Sequence, residues 1–129
     1  MKHYFKRMFA MLLASLTLIS VMTLTASAVM YSGQYNGYSY TTRVTVTGSD
    51  SYATARITYA GPTSLSGDGT VYYANKNKPS VTGQFDLDIA VGYSDVSNTV
   101  CVYLKNRVTR IEEDFYIGST IVETMDETF

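Results

Sequence analysis

Gln84-Phe85-Asp86-Leu87-Asp88-Ile89-Ala90-Val91-Gly92, then Tyr93-Ser94-Asp95-Val96-Ser97-Asn98, then Thr99-Val100-Cys101-Val102-Tyr103-Leu104-Lys105: this stretch decides how the chain reads. In its first run Phe85, Leu87, Ile89 and Val91 alternate with Gln84, Asp86, Asp88 and Ala90. In its last run Val100, Val102 and Leu104 alternate with Thr99, Cys101, Tyr103 and Lys105. A period of two puts each set on one face of a strand. A short link rich in Gly, Ser, Asp and Asn between two such runs predicts an antiparallel hairpin.

Outward from there the same texture continues. Asn36-Gly37 is a strong two-residue hairpin signal between tyrosine-rich runs. Tyr38 to Thr47 and Tyr52 to Ala60 read as strands joined at Gly48-Ser49-Asp50-Ser51. Ala53, Ala55, Ile57 and Tyr59 would form the inward side of the second, so bulkier groups should pack opposite. Gly61-Pro62 stops it. Gly67-Asp68-Gly69 reads as a turn before a short strand over Thr70 to Asn75. Asn75 to Pro79 is a polar, basic, exposed loop. Glu112-Glu113-Asp114 reads as a break. Phe115 to Val122 would be a last strand, with Phe115, Ile117 and Ile121 in the core and a fraying tail after it. Seven or eight short strands at regular spacing, with no 3.6-residue period, predict an all-β, single-domain antiparallel β-sandwich, Ig-like or jelly-roll-like.

The N-terminus has a different character. Lys2, Lys6 and Arg7 precede an apolar run from Met8 to Val21, and Ala26-Ser27-Ala28 suits a signal peptidase. Residues 1–28 are expected to be a secretory signal peptide cleaved after Ala28, and residues 29–129 the mature domain. The leader resembles those of exported proteins of Gram-positive bacteria. The expected mature chain has 129 less 28, or 101, residues, with seven basic and eleven acidic side chains and hence a net charge of −4. A mildly acidic domain of this kind is expected to have no electrostatic footprint for nucleic acid or for anionic lipid. No wall-sorting signal or apolar tail predicts a stable membrane anchor, so the localisation expected is secreted and extracellular.

The inventory of side chains narrows the chemistry. The sole histidine, His3, lies in the leader, so a Ser-His-Asp or Cys-His centre is not expected. Asp86 and Asp88, ~7 Å apart on one strand face, have a spacing that would suit a glycosidase, but they alternate with apolar residues as a wet sheet face does. Glu112-Glu113-Asp114, with Asp50, Asp68 and Asp95 in loops, would be the place for a calcium ion, although no calcium-loop pattern supports it. No catalytic residue, metal or cofactor is expected. Tyr31, Tyr35, Tyr38, Tyr40 and Tyr103 are the candidate contact residues, because tyrosine offers area at low entropy cost. Cys101 is the sole cysteine, so no internal disulfide can form. On the face opposite Val100 and Val102 it reads as a small buried hydrophobe; if exposed, it is the route to a homodimer by intermolecular pairing.

These observations predict a small secreted non-enzymatic binding protein whose partner is a protein or glycan at a cell surface. The alternative is a bacteriocin-like or toxin-like effector. A small carbohydrate-active hydrolase using Asp86, Asp88 or Glu112 is an outlier.

Overall fold

The computed structural model describes residues 27–129. The expected leader over residues 1–26 lies outside the described residues. The first described strand already includes Ser27 and Ala28, which precede the expected cut.

Nine strands and no helix make up the described residues. They are β1 (Ser27–Tyr35), β2 (Tyr38–Thr47), β3 (Tyr52–Tyr59), β4 (Leu65–Asn75), β5 (Thr82–Asp86), β6 (Ile89–Gly92), β7 (Asp95–Cys101), β8 (Asn106–Ile117) and β9 (Thr120–Thr128). Every pairing is antiparallel. One sheet has the order β1-β2-β3-β7; the other has the order β5-β4-β8-β9, with β6 following β5 along the same edge of β4. The two sheets face each other in a sandwich-like arrangement.

The first half forms as the residue pattern demands. Asn36 and Gly37 both take positive φ (49° and 81°), the conformation of a two-residue type I′ turn. Tyr35 then pairs with Tyr38, and β1 runs in register along β2 as far as Ser27 against Val46. Thr42, Val44 and Val46 of β2 and Ala53, Ala55, Ile57 and Tyr59 of β3 are buried on one face. The small alanines leave room, and β3 packs against β4 and β8. Those strands and their neighbours contribute Leu65, Val71, Ile111, Phe115 and Ile117, all fully buried. Burying each such side chain is worth roughly 1.5–3 kcal/mol before chain entropy is subtracted.

The second half departs from expectation in four places. Gln84 to Lys105 is not a hairpin. β5 and β6 belong to one sheet and β7 to the other, so Tyr93-Ser94 is a crossing between sheets. Ser94 makes the corner with φ 66°, and its carbonyl accepts a bond from Tyr59 N. Leu87 and Ile89 are core residues, but Val91 and Leu104 are 74% and 69% exposed. Gly67-Asp68-Gly69 is not a turn: β4 runs straight through it. Glu112-Glu113-Asp114 is not a break: it lies inside the twelve-residue β8. Finally, the tail is ordered as β9, and Gly118 (φ 61°) makes the β8–β9 turn. Ile121 is 49% exposed there and Met125 takes the core position instead.

Candidate functional site

Three groups of residues carry the chemistry available to this fold. The first is the tyrosine set. β1 and β9 are edges of their own sheets on the same side of the molecule, and tyrosines reach across between them. Tyr31 donates to Glu127 Oε1 (3.2 Å), Tyr35 and Thr120 Oγ1 share a bond (3.3 Å), and Tyr40 donates to the Val122 carbonyl (3.1 Å). Gly33 makes the last bond feasible, since a Cβ there would overlap the Tyr40 hydroxyl. The bond to Glu127 and that group's negative charge raise the Tyr31 phenol above its ordinary value. Tyr59 donates to the Tyr35 carbonyl at 2.8 Å, and its ring meets those of Tyr35 and Tyr38 edge-on at 6.2 and 5.9 Å. Tyr31, Tyr35 and Tyr40 thus spend their hydroxyls on contacts between the sheets. Tyr38 keeps 46% of its surface exposed.

The second group is acidic. Asp68, Glu112, Asp114 and Asp126 line a shallow depression of about 430 Å³ on the outer face of the second sheet. Arg110 lies in the same sheet, paired with Glu112 and Asp126 and stacked 5.2 Å from the Tyr72 ring centroid. The bond to Asp126 foremost raises the Arg110 guanidinium, and Arg110 in turn holds the Asp126 carboxyl below its usual range. Asp86 and Asp88 both remain exposed, with different neighbours. Asp86 is exposed on β5, whereas Asp88 accepts from Gly69 N at 3.2 Å and shares a bond with Asp68 that pushes Asp68 up. Among the described residues no three His, Cys, Asp or Glu side chains converge as metal ligands.

Glu113 is set apart from its acidic neighbours. It occupies an inward position of β8 between Ile111 and Phe115 and is 1% exposed. Neither carboxyl oxygen has a hydrogen-bond partner. The carboxyl lies over β4, where a Cβ on Gly67 or Gly69 would overlap it. The two glycines are therefore clearance for Glu113. Burial raises this acid to about 9, with the charges of Asp88, Asp68 and Asp114 adding to the effect. At neutral pH it is protonated. The sequence reading puts Glu113 in an acidic break with Glu112 and Asp114; the structure corrects that, and the alternation Ile111, Glu113, Phe115, Ile117 carries the signal for its inward place.

The third group is at one end of the sandwich. Two loops lie side by side there, residues 76–81 and 102–105, joined by Lys76 N donating to the Lys105 carbonyl at 2.9 Å. The second loop is held by buried polar groups. Asn106, 4% exposed, donates from Nδ2 to the Val102 carbonyl (2.6 Å), and Ser51, fully buried, donates to the Asn106 carbonyl (2.7 Å). Tyr103 takes φ 67°, which turns the chain and leaves Tyr103 and Leu104 60% and 69% exposed. The Tyr103 ring leans on Phe85 (5.8 Å), which stacks on Tyr73 (5.3 Å). In the other loop Asn75 Oδ1 accepts from Asn77 N and Lys78 N, each at 2.9 Å, and Val81 is 54% exposed.

Cys101 borders this end at the close of β7. It is exposed, not buried, because β7 is an edge strand and residue 101 faces away from the second sheet. Opposite it in the ladder stands Tyr52, whose phenol is raised first by its bond to Cys101. Among the expected contact residues the structure thus groups Tyr31, Tyr35, Tyr38 and Tyr40 along the β1–β2 side, and leaves Tyr103 and Cys101 at the loop end. Comparison with known protein families, with curated proteins and with solved structures finds no match for this chain.

Proposed function

We propose that the chain is an exported, non-enzymatic interaction domain that meets a cell surface with its loop end. Its scaffold is taken as an antiparallel sandwich of the Ig-like or jelly-roll-like class. One observation carries the reading: Tyr103 and Leu104 stand 60% and 69% exposed on a turn that the buried Asn106 and Ser51 hold in place. A buried polar network is costly unless fully bonded, and this one is spent on presenting two apolar side chains to solvent. Apolar groups held out on a rigid frame, with a third, Val81, exposed in the adjoining loop, are what a contact surface requires.

The absence of histidine from residues 27–129 and the open, exposed positions of Asp86 and Asp88 support a non-enzymatic part. The test is binding of epitope-tagged chain to intact bacterial cells, alongside a Leu104→Asp variant of the same form. The wild type should be retained and the variant released into the supernatant. Equal retention of both, or of neither, would sink the reading.

A further inference from the structure

We infer that the loop end docks on an anionic lipid surface, with Leu104, Tyr103 and Val81 entering the interfacial layer and Lys76, Lys78 and Lys105 meeting headgroup phosphates. The inference rests on the preceding reading of that end as the contact surface and names what it contacts.

The whole-chain charge of −1 conceals how the charges are distributed. Residues 27–129 contain three lysines, and all three are in the two adjoining loops. The arginines elsewhere are largely engaged. Arg56 pairs with Asp95, Arg110 pairs with Glu112 and Asp126, and Arg107 donates to the Phe129 carbonyl. Of the eleven acidic residues, Asp50 is the one in a loop at this end, its carbonyl accepting from Val108 N. The acidic depression around Asp114 lies on the outer face of the second sheet, well along the strands from the tip. One end of an acidic domain is therefore locally cationic.

The mixture of side chains favours lipid over protein. Lysine is depleted in protein contacts, because its flexible and strongly hydrated ammonium is costly to immobilise and dry. Against lipid phosphates the ammonium stays hydrated while its stem lies along the interface. Three exposed apolar side chains are too few to hold a neutral bilayer. Added to three cations they combine a small apolar insertion with attraction to anionic headgroups, the two contributions on which interfacial binding strength depends.

The test is flotation with vesicles of phosphatidylcholine alone and of phosphatidylcholine with about one third phosphatidylglycerol, at low and high salt. Wild type and variants carry the same N-terminus, so any contribution of the leader cancels in the comparison. The wild type should prefer the anionic vesicles and lose that preference as salt rises. Lys76→Ser, Lys78→Ser and Lys105→Ser combined should weaken anionic binding by roughly a hundredfold, at a factor of about five per lysine. Leu104→Asp should weaken it further, and all four sites are exposed enough to leave the melting curve unchanged. Equal binding to neutral and anionic vesicles, or binding unaffected by the variants, overturns the inference. Binding to soluble polyphosphate without binding to vesicles also overturns it, while leaving the loop end as the contact surface. Loss of cell binding in Leu104→Asp with no vesicle binding by the wild type separates the two readings in the same way.

Discussion

Replacing Glu113 with glutamine should stabilise the domain, and by an amount that grows with pH. The folded chain holds this carboxyl at about 9, against an ordinary value near 4.5. Because the folded value is the higher, the folded state binds more protons between those limits, and stability falls as pH rises through the window. Below 4.5 the acid is neutral in both states and costs nothing in ionisation. Each pH unit above that costs about 1.4 kcal/mol, giving about 3 kcal/mol by pH 7 and about 6 kcal/mol near pH 9. A small domain has roughly 5–15 kcal/mol in all, so the effect is large. The glutamine side chain would keep the shape and the unpaired polar atoms but cannot ionise. Urea unfolding of both proteins at pH 5, 7 and 9 is the assay. Asp95 and Asp126, held low by Arg56 and Arg110, lose stability as pH falls, but they do so equally in both proteins and drop out of the difference. The expected result is near-coincidence at pH 5 and a gap that widens by several kcal/mol toward pH 9. Parallel profiles with a constant gap would refute the argument, since they would mean that Glu113 is solvated or paired in the folded chain.

Four further outcomes follow from the same structure. Thr42→Val should raise stability by about 1 kcal/mol in thermal or urea unfolding, because the fully buried Thr42 Oγ1 has no partner and a valine fills the same space. Tyr40→Phe removes the bond to the Val122 carbonyl and should cost about 1 kcal/mol, seen as a fall in melting temperature of several degrees. Leu87→Ala should cost about 2–5 kcal/mol, while Leu104→Ser should stay within about 0.5 kcal/mol of wild type; equal costs would contradict their opposite exposures. Cys101 in native protein should react with a thiol reagent as fast as in urea, and protection in the native state would contradict its exposed position.

What could be read in advance was whatever depends on neighbours in sequence. Asn36-Gly37 specifies its own turn, and the alternation over Val44–Val46 and Ala53–Tyr59 specifies which face goes inward. What could not be read depends on strands distant in sequence. Alternation says that Phe85–Ile89 and Val96–Val100 are strands, but it is equally satisfied by two strands of one sheet or by one strand in each. The short link between β6 and β7 has the composition of a hairpin and the trajectory of a crossing. Gly67-Asp68-Gly69 reads as a turn because glycine usually marks one. Here glycine is required by Glu113, far later in the chain and adjacent only in the ladder. The loop end was half legible: the basic loop after Asn75 was evident, but Tyr103-Leu104-Lys105 completes an apparent strand until Asn106 is seen to pull it into a turn.

The tyrosine content follows from the same constraint as the missing disulfide. A domain of about a hundred residues buries only some 60–65% of its unfolded surface, and a cross-link between sheets would be a common supplement, worth about 2–4 kcal/mol. One cysteine rules that out within the chain. Facing sheets lie about 10 Å apart, a gap that short polar side chains cannot span from one edge to the other. Tyrosine can, because its ring is long and rigid, it buries apolar area, and it ends in a hydroxyl that needs a partner. Tyr31, Tyr35 and Tyr40 apply that property at three points on the β1–β9 side, to Glu127, Thr120 and Val122. On the opposite side β6 passes into β7 through Tyr93-Ser94, so the backbone itself joins the sheets there. The aromatic residues gather where the sandwich would otherwise open, which accounts for their number on β1 and β2 without a ligand. Tyr103 is placed differently: its ring leans on Phe85 and it stays 60% exposed at the loop end, as Tyr93 stays 68% exposed at the crossing between the sheets.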